Sequence, residues 1–122
     1  MDPAELDRPM MVFSIPEEIS KVLGDRNTVP VKHAAVLAKN EHVRIVLAVL
    51  SRGEMLQEHE TDGQITVSVV QGAIRFNALG EHVDLVGGGL LTLQPGARHS
   101  VLALEDSAFV ITVCSLSKKT AP

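Results

Sequence analysis

At 122 residues, with a net charge of −4 and its Lys and Arg scattered, the chain has the length of one domain and lacks the basic patch that nucleic acid or anionic lipid demands. Three phenylalanines without Trp or Tyr leave little for stacking on bases or sugars, and the 45% hydrophobic fraction is therefore mostly aliphatic, which favours strands. A lone Cys114 excludes an intrachain disulfide and no apolar run reaches the roughly 18 residues of a membrane span, so the expectation is a soluble protein in a reducing compartment, the cytoplasm.

The opening MDPAELDRPMMVF has no apolar segment of the kind a signal peptide carries. Residues 1–12 read as a loose arm interrupted by Pro3 and Pro9. A short helix follows: Ser14 is its N-cap, Pro16, Glu17 and Glu18 fill the first turn, Ile19, Val22 and Leu23 form the apolar stripe, and Gly24 ends it.

From Val31 the pattern changes to strands, first Val31 to Ala38 and then His42 to Ser51. The segment HVRIVLAVLS is apolar on both faces, as for a strand with the barrel interior on one side and a second sheet or subunit on the other. Glu54 to Gln57, Ile65 to Gln71, Ala73 to Leu79 and His82 to Val86 continue the series, with a hairpin turn at Leu79-Gly80. Leu90 to Leu93, His99 to Leu104 and Ala108 to Ser115 complete nine or ten strands. Turn signals roughly every 8 to 12 residues, with no βαβ alternation, mark an all-β sandwich or barrel. The organisation is an arm and helix over 1–30, a barrel over 31–116 and a polar tail over 117–122.

Two stretches repeat one plan. GEMLQEHETDGQITVSVVQG, Gly53 to Gly72, and GGLLTLQPGARH, Gly88 to His99, each combine a strand, a Gly-containing turn and a histidine close to it. They resemble the two motifs of the cupins, G-x5-H-x-H-x3,4-E-x6-G and G-x5-P-x-G-x2-H-x3-N. Gly53, His59 and Gly72 stand at the first motif's opening Gly, first His and closing Gly; Gly88, Gly96 and His99 match the second, with Pro95 one place later than the motif's proline. The resemblance implies a double-stranded β-helix, or jelly-roll barrel, of the RmlC-like kind over about residues 31–115.

In that family the two His and the Glu of the first motif and the His of the second hold a divalent metal such as Fe, Mn, Ni or Zn. Here Thr61 replaces the second His, Ile65 with Gln64 beside it occupies the Glu position, and Ala103 replaces the Asn. The metal set implied is His59, Gln64 and His99, within a ligand pocket of His59, Thr61, Gln64 and His99. Carbonyl and hydroxyl oxygens are poorer donors than carboxylate or imidazole for such metals, which points first to a barrel that binds a small molecule. The alternative is a metal-dependent oxygenase, isomerase or decarboxylase. His33, His42 and His82 read as surface residues, Arg98 as a solvated rim residue, and Met55 and Cys114 as core. Strands apolar on both faces, together with the pairing habit of similar cupins, point to a homodimer.

Overall fold

A computed structural model describes residues 3–24, 34–59 and 61–115, with the side chains of Glu58 and His59 outside that description. The first strand therefore begins, as described, at Ala34; His33, the start of the expected strand at Val31 and the 117–122 tail lie outside the described residues.

Among the described residues one helix and nine strands follow in chain order: α1 (Ile15–Gly24), β1 (Ala34–Lys39), β2 (Val43–Leu50), β3 (Met55–His59), β4 (Gln64–Gln71), β5 (Ala73–Ala78), β6 (Glu81–Val86), β7 (Leu90–Leu93), β8 (His99–Ala103) and β9 (Ser107–Cys114). Every pairing among these nine described strands is antiparallel, and they form two sheets ordered β1-β2-β9-β4-β7 and β3-β8-β5-β6. The period of two along each strand sends one set of side chains between the sheets. Leu50, Ile65, Val67, Ile74, Val101 and Phe109 meet there in one buried cluster.

Gly72 shows why the turn glycines recur. Its φ is +89°, and a Cβ would run into Ser107 Oγ and the Asp106 carbonyl where the β4–β5 turn crosses the start of β9. Ser107 Oγ is itself tied to the Ala73 carbonyl at 3.0 Å and to the Glu105 carbonyl at 2.7 Å, so the neighbour cannot swing away.

The two-faced strand β2 is covered by α1, where a second sheet or subunit was expected. Ile19 and Val22 of the helix pack with Phe13 and Ile15 on Leu47, Leu37 and Ala108, while Ala48 and Leu50 face the interior. The helix begins as expected, with the Ser14 carbonyl accepting the first turn's bond from Glu18 N–H at 3.0 Å. Leu23, expected in the apolar stripe, is 37% exposed because the sheet contacts fall one residue earlier.

Two further residues depart from the core assignment. Cys114 is exposed, lying at the end of β9 opposite Val43 and Gln64. Met55 is exposed on β3, the end strand of its sheet. None of the described helices is long and apolar enough to cross a membrane. The chief ion pair on the barrel wall is Arg75 with Asp84 across β5 and β6, held at 2.8 and 3.0 Å; the guanidinium hydrogen bond keeps the Asp84 carboxyl below its ordinary range.

Candidate functional site at the barrel mouth

His99 opens β8 and is 5% exposed. Its Nδ1 lies 3.0 Å from the Ala97 carbonyl. A carbonyl only accepts, so Nδ1 carries the proton and Nε2 keeps the lone pair in the neutral ring. The ring stacks on Phe76, with centroids 5.5 Å apart and planes inclined by 11°. This contact fixes the ring plane from the β5 side.

In front of the ring is a small cavity of about 30 Å3, walled by Leu56, Ile65, Val67, Val101, Ile111, Val113 and Thr61 along with Phe76 and His99. That is room for a water molecule or a small apolar group. Outside it, between the β1–β2 turn, the β3–β4 loop and the end of β9, opens a vestibule of about 550 Å3. Thr61 and Val113 stand in the walls of both spaces. The remaining vestibule wall is mostly polar: Asn40, Glu41, His42, Arg44, Asp62 and Ser115.

The backbone register explains how the two motif segments meet. Leu56 pairs with Val101, but one extra residue on β3 then brings His59 opposite His99. Strict alternation would have put Glu58 in that position; the bulge changes which residue lies across from the buried imidazole. The His59 side chain lies outside the described residues. The two turns are also joined directly, since the Gly96 N–H donates to the Thr61 carbonyl at 2.7 Å.

Of the residues expected in the pocket, Thr61 and His99 share the inner cavity, and Thr61 Oγ1 donates to the Gly63 carbonyl at 3.1 Å. Gln64 does not join them. Alternation along β4 turns Ile65 inward and Gln64 to the other face, where its Nε2 donates to Thr92 Oγ1 on β7 at 2.8 Å. Arg98 is exposed and outside the inner cavity, and His42 and His82 are exposed, in keeping with surface roles.

A divalent transition metal would need three or four protein donors, commonly with a carboxylate or several imidazoles. Among the described residues, no three His, Cys, Asp or Glu side chains come together to hold one. Among the described residues, Thr61 is the other polar side chain in the cavity wall around His99, and the remaining lining side chains are hydrocarbon. The described donors, one imidazole and one hydroxyl, do not by themselves make up such a set.

Two contributors were missed in the sequence. Arg44 was detectable, because it stands on the inward parity of β2 with Val46, Ala48 and Leu50, at the mouth end of an otherwise apolar series. The Phe76 stack had no local signal; it depends on the β5–β8 register, which places Phe76 opposite Val101 and Ala78 opposite His99.

No family model matches the chain, and no curated protein matches it. Solved structures do. A cupin superfamily protein from Desulfitobacterium hafniense aligns at TM-score 0.66 and 20% identity over 68% of this chain and 76% of its own. An RmlC-like cupin family protein with a double-stranded β-helix fold from Methanocaldococcus jannaschii aligns at 0.64 and 18%, covering 78% and 92%. KdgF from Halomonas sp. aligns at 0.62 and 22%, covering 71% and 81%. With its two antiparallel sheets closing on a buried histidine, the chain has the fold of the cupin superfamily, the double-stranded β-helix.

Proposed function

We propose that the protein is a small-molecule-binding barrel whose ligand sits in the vestibule and reaches toward His99 with a small apolar group. One observation carries this reading: Thr61 and Val113 wall both the 550 Å3 vestibule and the 30 Å3 apolar cavity that ends on the buried imidazole. Ligand sites commonly occupy about 300–1,000 Å3 and set a few convergent polar groups on a mostly apolar lining; here the polar groups stand in the vestibule and the apolar lining in the inner cavity. The inner cavity alone is too small for a whole metabolite. A polar outside and an apolar end therefore describe the shape of the ligand as well as of the site.

Catalysis by a metal held through His59, Gln64 and His99 has less support, because Gln64 is engaged with Thr92 on the opposite face. The deciding experiment is a small-molecule screen by thermal shift on the wild type and on Thr61→Phe, whose ring would intrude where the two spaces share a wall. Ligands that raise the wild-type Tm are expected to lose that effect in a Thr61→Phe protein of unchanged ligand-free Tm. Retention of the same shifts in Thr61→Phe would overturn the assignment.

A further inference from the structure

Phe76 stands between two spaces. It walls the 30 Å3 cavity before His99, and it also walls a groove of about 190 Å3 that opens where β6 and β7 end their sheets. Apart from Phe76, the groove's apolar lining is Ala78, Leu79, Val83, Leu91 and Leu93. Phe76, 2% exposed, and Leu93, 8% exposed, form its inner end, while its polar members Glu81, His82 and Thr92 are exposed.

Most of the inner cavity wall is stiff. Ile65, Val67, Val101, Ile111 and Val113 are β-branched and restricted at χ1 on paired strands. A phenylalanine on a strand has two common χ1 rotamers, and Phe76 has open volume on the groove side to receive its ring. An apolar cavity of about 150 Å3 holds a benzene molecule, so the groove, at about 190 Å3, has room for the phenyl group. The slot that the ring would vacate is flat, since its opposite wall is the His99 imidazole, 5.5 Å away between centroids and inclined by 11°.

We infer that Phe76 is a movable wall, and that turning its ring into the groove opens a chamber before His99 that takes a flat apolar ring, free or as the aromatic end of a larger ligand. The guest ring replaces the phenyl group in the stack on His99, and Phe76 stays among the hydrocarbon of Val83, Leu91 and Leu93. Turning gives up one aromatic contact and part of the burial of Phe76, so the closed arrangement is the resting one and the guest holds the chamber open. A saturated ring is thicker and lacks the π face that stacks on an imidazole, so it suits the slot less well. The chamber goes beyond the vestibule reading and does not rest on it, because a bare hydrocarbon ring has no polar group to place in the vestibule.

The test is a nitrogen-15 NMR titration of the full chain with benzene, repeated with cyclohexane. Benzene is expected to shift the amides of His99, Val101 and Ile111, which wall the inner cavity and not the groove, and to bind more tightly than cyclohexane. Val83→Phe, at an exposed position of the end strand β6 and directly opposite Phe76 in the register, fills the groove and should abolish those shifts while the Tm is unchanged. Phe76→Leu shortens the wall itself. Benzene should then bind at least about tenfold tighter, because a minor conformation is populated at about 10% or less, and adding Val83→Phe to it should cost nothing. Shifts confined to groove residues such as Val83 and Leu91, or shifts that survive Val83→Phe alone, would overturn the movable wall. So would an unchanged affinity in Phe76→Leu, cyclohexane bound as tightly as benzene, or no shift at all. The vestibule is judged separately, by the thermal-shift screen on Thr61→Phe.

Discussion

At the scale of single residues, the site depends on positions that admit one side chain. Gly72 is the clearest. Any Cβ there meets both a left-handed φ of +89° and the fixed Ser107 and Asp106 atoms, and no long flexible side chain is present to give way. Gly72→Ala is expected to destabilise the fold by about 2–4 kcal/mol, the sum of backbone strain and displacement of the β9 start. Urea unfolding measures it, and a loss below about 1 kcal/mol would show that the turn can re-form. The same glycines made the site legible from sequence, since Gly53, Gly72, Gly88 and Gly96 all have positive φ and their spacing reports turn geometry. Gln64 was misplaced for a related reason. Motif spacing placed it beside the carboxylate position, but the face a strand residue presents is set by pairing, and Ile65 holds the inward place.

Among the elements, α1 accounts for the second apolar face of β2. Three of its apolar residues, Ile15, Ile19 and Val22, recur at helical spacing and lie in or against one cluster with Leu37, Leu47 and Ala108. Burial decides which of them matter. Ile19 is 7% exposed and Leu23 37%, so Ile19→Ala should cost about 2–4 kcal/mol and Leu23→Ala under about 1 kcal/mol. Equal losses in chemical denaturation would mean the helix sits differently on the sheet. The sequence made the helix, its start at Ser14 and the apolar doubling of β2 readable, but not that the one covers the other. That pairing joins segments separated by the sheet order, and nothing within either segment encodes it. The β3 bulge was hidden likewise: an extra residue leaves no mark in the alternation of a five-residue strand, yet it decides that His59 and not Glu58 lies across from His99.

For the whole molecule, coverage of β2 by α1 removes the strongest sequence argument for pairing with a second copy, and a different surface supplies one. Strands β6 and β7 end their respective sheets, so each carries an edge without a described strand partner. Beside those edges Leu79 is 76% exposed, Val86 63% and Leu90 70%. Open strand edges with apolar neighbours are costly to leave in water and suited to pairing between copies. We propose that the homodimer forms along this β6 and β7 border, which leaves the ligand mouth open, because none of these three residues lines the vestibule. Light scattering at about 10 μM should give twice the chain mass, the concentration being one at which a stable interface of ordinary size is occupied. Val86→Lys with Leu90→Lys should return the monomer and leave unchanged the thermal shifts that ligands of the wild type produce. A monomeric wild type would exclude the dimer. A dimer that survives both lysines would transfer it to another face, with the exposed arm around Met10 and Val12 the next apolar surface to examine.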